Sequence, residues 1–360
     1  MKLTKFFALA LAALAIVGCE PTTGNDDQKP TGDAVLTANN NSVEVNTPIE
    51  FTVTAADGAD LTAEAIIYDK SHDYAVVENP YTPTMDGEYE FYAVIGNIIT
   101  PSIKVNVVPT VPALPEDAQP ENTSFNHRIL LVDHTGNTCG YCPQMMAALK
   151  EVSETGDYHS KYYEAMAHTY SSGDPAYSGA ANVVSGHHGV QAYPTLTYNF
   201  YHSTTSSYNA AHIMGQIDAL WRAEGAEAGI AAAATLASTS VIVNTEVKAA
   251  TTNDYHVTAW LLEDGIYAKQ TNATEEWMNT HDNAIRQRVT SDDITGVDLG
   301  TIAAGETAST ALTLKIIGNK WVRENLKVMV IVSAKNEKGK YEVANVAICP
   351  MDDVVTYDYK

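Results

Sequence analysis

Two cysteines separated by two residues are the clearest candidates for chemistry in this sequence. Cys139 and Cys142 follow a short turn after the apolar run 129–132, and a helix-forming stretch begins at Gln144. A helix N-terminus favours a thiolate, because its unpaired N–H groups and the positive end of its dipole stabilise negative charge. The thiolate is the form of cysteine that attacks disulfides and binds metals. The position therefore predicts a reactive thiol at Cys139.

Three kinds of chemistry fit such a pair: thiol–disulfide exchange, a stable local disulfide, or half of a metal site. Zinc usually takes four ligands from two such pairs, and the remaining cysteines, Cys19 and Cys349, are far away in the chain. A structural disulfide that closes so short a loop would stabilise the fold little. Exchange is favoured because the pair lies between a predicted strand and a predicted helix. No metal and no other cofactor is predicted.

The residues around this pair resemble the thioredoxin family. Leu131-Val-Asp, followed by five residues and Cys-Gly-Tyr-Cys, is similar to thioredoxin itself, and Cys-Gly-Tyr-Cys also resembles the site of periplasmic disulfide isomerases. The resemblance implies that Cys139 attacks a substrate disulfide and that Cys142 resolves the mixed disulfide, so that the two form a disulfide when oxidised. It also implies that Asp133 is a buried acid that helps to deprotonate Cys142.

A second stretch, 190–196, carries the same resemblance. Val-x-x-Tyr-Pro-Thr is similar to the loop in which that fold holds a cis proline against the redox pair. The resemblance implies that Tyr193, Pro194 and Thr195 support the site and that Pro194 is cis. An extended protein or peptide segment that contains a disulfide would pair with the backbone beside Pro194 as an added strand.

Alternating elements are predicted around both stretches. They are a strand at 128–134, a helix at 143–154, a strand at 161–168, a helical insert at 176–186, a strand at 195–201 and a helix at 209–223. Such alternation is typical of an α/β sheet with helices on both faces. We therefore expect a thioredoxin-like α/β domain at residues 124–225.

The segments on either side have the alternating pattern of β-strands. Residues 34–108 contain about seven short strands and resemble an immunoglobulin-like β-sandwich, and residues 226–352 predict a C-terminal β-sandwich with a helical or irregular insert at Glu275–Val289. A proline-rich linker, 109–123, precedes the central domain. The predicted fold class is multidomain α+β, with one α/β domain between two β-sandwiches.

The N-terminus has the proportions of a secretory signal, with two lysines before an apolar run at 6–17. Gly18-Cys19 ends this run and resembles a bacterial lipobox, which implies removal of residues 1–18 and acylation of Cys19 as a lipid anchor. Residues 19–33 are polar and acidic and predict a flexible tether. Glu20 is not the aspartate associated with inner-membrane retention, so we expect an outer membrane lipoprotein. The acidic tether also resembles a surface-export signal of Bacteroidota.

Charge excludes one class of partner. The chain has 21 Lys and Arg against 44 Asp and Glu, a formal net charge of −23. Such a surface repels phosphate backbones, so no nucleic acid partner is expected.

The order of these segments resembles the outer membrane protein 28-related family of Bacteroidota lipoproteins. Residues 124–350 carry the resemblance, together with a His281…Arg286 signature in the C-terminal part. The expected function is a lipoprotein of the outer membrane with thioredoxin-like thiol–disulfide oxidoreductase activity on envelope or surface proteins. The alternative is a non-enzymatic surface binding or adhesion lipoprotein that uses the same fold as a scaffold.

Overall fold

The structure is a computed structural model, and it describes residues 33–201, 204–291, 293–317 and 320–360. The predicted signal peptide and Cys19 lie outside these residues. The described chain forms two compact units. The first contains the described residues up to Asn41 with Ile49–Tyr81 and Tyr89–Val105, and the second contains Ser42–Pro48, Thr82–Glu88 and Asn106–Lys360.

The first unit is built from short strands with alternating burial. The first eight strands of the described residues are β1 (Ala34–Ala38), β2 (Ser42–Glu44), β3 (Phe51–Ala55), β4 (Ile66–Asp69), β5 (Ala75–Val77), β6 (Gly87–Ile95), β7 (Ile98–Ile99) and β8 (Ile103–Val108). Of these, β2 and the ends of β6 and β8 belong to the second unit. β1 pairs antiparallel with β3, and β4 pairs antiparallel with β5 and β6. The alternation buries one face, where the Phe51 and Phe91 rings pack with centroids 4.8 Å apart.

The second unit contains the three α-helices of the described residues and most of the strands. Its elements are β9 (Ile129–Thr135), α1 (Cys142–Glu154), β10 (Tyr162–His168), α2 (Gly179–His187), β11 (Thr195–Tyr198), β12 (Thr204–Thr205), α3 (Ala210–Leu220), β13 (Ala228–Leu236), β14 (Ser240–Ala249), β15 (Asn253–Glu263), β16 (Ile266–Tyr267), β17 (Thr280–His281), β18 (Ala284–Arg288), β19 (Val297–Ile302), β20 (Thr307–Lys315), β21 (Leu326–Lys335), β22 (Tyr341–Pro350) and β23 (Asp353–Val355).

A nine-stranded sheet runs through this unit in the order β12-β11-β9-β10-β18-β15-β21-β22, with β19 paired to β15. β10 is parallel to both β9 and β18, whereas β11 is antiparallel to β9 and β15 is antiparallel to β18 and β21. A second sheet has the order β20-β14-β13-β23. One sheet thus joins strands from both sides of residue 225.

The two faces of the nine-stranded sheet have different coverings. In β9, Ile129 and Leu131 pack with α1 and α3, while Leu130 and Val132 pack with α2 and with Trp260 of β15. The neighbouring Leu261 points the other way and joins the core beneath β13 and β14. Because side chains alternate along a strand, each strand contributes to two cores.

The predicted fold class is wrong. Its α/β domain flanked by two separate sandwiches is overturned by a multi-sheet, β-rich arrangement in which the nine-stranded sheet continues past β10 into β18 and β15. The segment Glu275–Val289, predicted as a helical or irregular insert, contains β18, which is the strand that makes this connection. Its sequence contains Arg286 and Arg288 and has no apolar alternation, so local pattern could not identify a buried strand.

Gly229 of β13 is packed closely against the side chain of Phe125. A Cβ atom built on Gly229 would overlap the ring of Phe125, which is fully buried. Gly229→Ala is expected to lower the free energy of unfolding by about 1–3 kcal/mol, because a filled core must shift to accept the methyl group. Urea denaturation measures this loss. Gly179→Ala, at the open first position of α2, is the control and should cause no loss.

The Gly229→Ala loss should be smaller in a Phe125→Leu background, where the ring is absent. An equal loss in both backgrounds would contradict the overlap as its cause.

Candidate functional site

The cysteine pair lies between β9 and α1. β9 ends at Thr135, a turn follows, and α1 begins at Cys142 with Pro143 in its first turn, where no backbone N–H is needed. Cys139 and Cys142 are joined in a disulfide. The side chain of Tyr141 is 64% exposed, but Cys139 is only 2% exposed and Cys142 is fully buried. The pair is therefore at the start of the helix, as predicted, but is closed off from solvent.

Residues Gln270–Asn272, here called the 270–272 segment, bind the turn that carries Cys139. Gln270 Nε2 donates a hydrogen bond to the carbonyl oxygen of Cys139 at 2.9 Å, and Asn272 Nδ2 donates to that of Gly140 at 3.1 Å. The backbone N–H of Thr271 donates to the carbonyl oxygen of Asn137 at 2.8 Å. The sequence contains no signal for these contacts, because the two segments are about 130 residues apart.

Asp133 is buried beneath the α1 side of the sheet. It follows Ile129 and Leu131 in the alternation of β9, and those two residues pack against α1. Neither carboxylate oxygen has a hydrogen-bond partner among the described residues. Burial, and then the charge of Glu164, raise the pKa of Asp133 well above its ordinary value. A buried acid with a raised pKa on this side of the sheet can store or release a proton.

Glu164 is a second acid on the same side, and the sequence analysis missed it. It lies in β10, and burial followed by the charge of Asp282 raises its pKa to about 7. Glu164 lines a cavity of about 610 Å³ together with Met146 and Lys150 of α1 and with Trp277. A charged residue within the otherwise apolar run 162–167 was the signal that could have indicated it.

The predicted proline loop enters β11 beside the end of β9. The Tyr193–Pro194 peptide bond is cis, as expected from the sequence. Thr195, the first residue of β11, pairs with His134 near the end of β9. The hydroxyl groups of Tyr193 and Thr169 are 3.0 Å apart. The structure thus brings Tyr193, Pro194 and Thr195 to the sheet end from which the cysteine turn departs.

A cluster of buried side chains, His168, Asp174 and His281, lies beside the turn that precedes Cys139. Asp174 accepts hydrogen bonds from His168 Nδ1 at 2.8 Å and from the backbone N–H of Asn137 at 2.7 Å. Burial alone would raise the pKa of Asp174, but these bonds and the His168 charge hold it at about 2. The ring of His281 lies 4.8 Å from that of His168, and its Nε2 donates to the carbonyl oxygen of Ala268. This cluster connects the turn before Cys139 to the approach to the 270–272 segment.

Cys349 and the possible metal ligands do not form a second site in the described residues. Cys349 is a free, buried thiol in β22, and burial raises its pKa to about 11. Within the described ranges, no group of three or more His, Cys, Asp or Glu side chains is arranged to hold a metal ion. The helices of the described ranges are all too short or too polar to cross a membrane.

Comparison with known proteins points to the outer membrane. The sequence model of a family described as outer membrane protein Omp28 matches residues 183–351. The matched region begins after the cysteine pair and includes Pro194, the 270–272 segment and Arg286. No curated protein matches the sequence.

One of two aligned solved structures has a similar fold. HBP35 of Porphyromonas gingivalis is similar with a TM-score of 0.52 and 16% identity, over 64% of this chain and 77% of that one. Domains 4–9 of the surface layer protein SbsC align over 90% of this chain and 48% of that one, but at 11% identity their TM-score of 0.18 carries no argument. The likeness to HBP35 concerns the fold alone. The family match confirms the outer-membrane location that the sequence predicts for this chain.

Proposed function

We propose that this outer membrane protein exchanges disulfides with other proteins of the envelope or cell surface through Cys139 and Cys142. The observation that carries the proposal is the disulfide at the start of α1, with a buried, unpartnered acid, Asp133, on the same side of the sheet. The proline loop ending at Thr195 adds support, because it lies at the same end of β9.

The exchange begins with attack by a substrate thiolate on Sγ of Cys139. A new intermolecular disulfide forms, the Cys139–Cys142 bond breaks, and its electron pair leaves with Sγ of Cys142, which takes up a proton. A second substrate thiolate then displaces Cys139, so the substrate gains a disulfide and the pair gains two electrons. Asp133 is the proposed proton donor and acceptor for Cys142. In reverse, the reduced pair opens a substrate disulfide.

Reduction of insulin by dithiothreitol tests the activity. Wild-type protein is expected to accelerate the reaction at least tenfold over dithiothreitol alone, whereas Cys139→Ser should give no acceleration, because no thiolate can then form the mixed disulfide. Cys349→Ala is the matched control, since it removes a thiol but leaves the pair intact. Equal rates for wild type and Cys139→Ser would contradict the proposal.

The partners can be captured on the protein. Cys142→Ser leaves Cys139 without its resolving thiol, so mixed disulfides with substrates should accumulate in the native envelope and disappear on reduction. These substrates are expected to be extended protein segments that contain disulfides. The proposal includes anchoring through acylated Cys19, which would keep the reaction at the membrane surface.

A second candidate function is a binding or adhesion lipoprotein that does not exchange disulfides. The burial of both cysteines favours it, because an attacking thiolate must reach a sulfur atom. The insulin assay separates the two: this candidate expects wild type and Cys139→Ser to behave alike.

A further inference from the structure

We propose that the 270–272 segment is a removable cover that occupies the place of a polypeptide substrate and must leave before the disulfide can react. The inference builds on the proposed function, since it describes how access to that same pair is controlled. A disulfide that exchanges with substrates must be reached by a thiolate, yet Cys139 is 2% exposed and Cys142 is fully buried.

One bond of the 270–272 segment, donated by the backbone N–H of Thr271, is of the kind that an added strand makes, whereas Gln270 and Asn272 reach the turn with side-chain amides. All three residues donate hydrogen bonds to backbone carbonyl oxygens of the turn between Gly136 and Gly140. The carbonyl of Cys139 itself is one of them. An extended polypeptide could replace these donors with its own backbone N–H groups, which is the chemistry of strand addition. Substrate and segment would therefore compete for one set of acceptors.

The base of the 270–272 segment, formed by Gln270 and the residues before it, is anchored by hydrogen bonds. Its tip, formed by Thr271 and Asn272, is not packed in a core. On the base side, the Gln270 N–H donates to Asn279 Oδ1 at 2.9 Å, and His281 Nε2 holds the carbonyl oxygen of Ala268. At the tip, Thr271 and Asn272 are exposed. Residues near a fixed base can act as a hinge while an exposed tip moves.

The closed position also contains an unsatisfied group. Gln270 is buried, its Nε2 faces carbonyl oxygens, and its Oε1 has no hydrogen-bond partner among the described residues. A buried carbonyl oxygen without a donor disfavours the state that buries it. Opening would expose Oε1 to water, so the arrangement is suited to a cover that leaves readily.

Space beside the segment fits a substrate side chain. A cavity of about 500 Å³ lies between the 270–272 segment and the start of α1. It is lined by Gly140, Tyr141, Pro143, Gln144, Ala147, Asn272 and Thr274. The exposed Tyr141 ring and the aliphatic wall would contact an apolar side chain of the displacing segment. The cover and this cavity together point to an extended, uncharged stretch of polypeptide as the displacing partner.

The test measures how fast dithiothreitol reduces the Cys139–Cys142 disulfide. One dithiothreitol thiolate attacks a cysteine sulfur and the second closes the reagent into a ring, so the reagent is oxidised and the pair gains two electrons and two protons. Samples are quenched with N-ethylmaleimide and the labelled cysteines are counted by mass spectrometry. Gln270→Ala and Asn272→Ala are compared with wild type, and Lys269→Ala is the matched control, because that exposed neighbour makes no described bond to the turn.

Gln270→Ala is expected to accelerate reduction at least tenfold and Asn272→Ala at least threefold, while Lys269→Ala stays within twofold of wild type. Cys349 reports unfolding, because it is buried in β22 and far from the segment in the chain; it should stay unlabelled in every variant. If Gln270→Ala labels Cys349, the conclusion is drawn from Asn272→Ala, whose exposed side chain donates to the Gly140 carbonyl oxygen.

Reduction of both variants at the wild-type rate, with Cys349 protected, would overturn the cover. So would a wild-type disulfide that is reduced as fast as that of an unstructured peptide with the sequence Cys-Gly-Tyr-Cys. The insulin assay reports separately on the proposed function. Faster reduction of the variants without insulin turnover would leave the cover in place and reject the exchange activity, whereas insulin turnover with unchanged reduction rates would do the opposite.

Discussion

Replacing Arg286 with alanine is expected to lower the free energy of unfolding by about 3–5 kcal/mol, the cost of leaving a buried charge without its partner. Arg286 lies in β18, the strand that joins the two parts of the nine-stranded sheet. Its Nε is 2.9 Å from Oε2 of Glu263, and the two side chains are 6% and 3% exposed. These atoms are not aligned for a hydrogen bond, so the pair is held by charge.

Further contacts fix the Arg286 guanidinium. It donates to the carbonyl oxygen of Pro175 and lies 5.2 Å from the ring centre of Trp321. Alanine would remove all of these contacts and would leave Glu263 buried, with the backbone N–H of Val322 as its one donor among the described residues. Unfolding in urea, monitored by circular dichroism, measures the loss.

Arg288→Ala is the matched control for Arg286→Ala. It removes the same side chain two residues along the same strand, where the guanidinium is only half-buried and donates to the carbonyl oxygens of Val289 and Ser291. A loss of about 1 kcal/mol is expected there. The double variant Glu263→Gln with Arg286→Met should recover part of the Arg286→Ala loss, because no charge is then buried. Equal losses at positions 286 and 288 would refute the special role of the ion pair.

Asp133→Asn is expected to remove a loss of stability that the wild-type protein suffers as pH rises. The pKa of Asp133 is raised in the folded state by burial and by the Glu164 charge. Its ordinary value is about 3.9. Above that pH the unfolded chain gives up the proton while the folded chain keeps it. The free energy of unfolding therefore falls by about 1.4 kcal/mol per pH unit until the folded carboxyl also ionises.

The sign follows from which state binds the proton. The contribution of Asp133 is fully present below the unfolded pKa and is lost as pH rises towards the folded pKa. An amide at position 133 cannot ionise, so the Asp133→Asn curve should be flatter and should lie above that of wild type at pH 7. Urea midpoints measured between pH 4 and pH 8 test this.

Glu164→Gln is the control for Asp133→Asn. It removes the neighbouring charge and so should lower the folded pKa of Asp133. It also removes the loss that Glu164 itself causes, because the pKa of Glu164 is raised to about 7 in the folded state. The Glu164→Gln curve should therefore be flatter than that of wild type but should still fall with pH, because Asp133 remains. Parallel pH curves for wild type and Asp133→Asn would show that Asp133 is not the titrating group.

The local features of the site could be predicted from the sequence because neighbouring residues determine them. The apolar run before the turn forms β9, and the helix-forming stretch after Cys142 forms α1, with Pro143 in the first turn where its missing N–H has no cost. The cis bond before Pro194 also depends on adjacent residues. The cysteine spacing and the turn follow from the same short segments, whereas the outer-membrane location was predicted from Gly18-Cys19 and Glu20 near the N-terminus.

The tertiary structure alone decided how these elements combine. The sequence around Arg286 predicted a helical or irregular insert. Arg286 can be a buried strand residue because Glu263 of β15 lies beside it and balances its charge. Gln270 and Asn272 are ordinary polar residues until folding brings them to the carbonyl groups around Cys139. Local patterns report the preferences of a few neighbouring residues, whereas burial of a charge or closure of a site depends on partners that are distant in the chain. For that reason the sequence indicated a disulfide at a helix start, and only the fold revealed that it is covered.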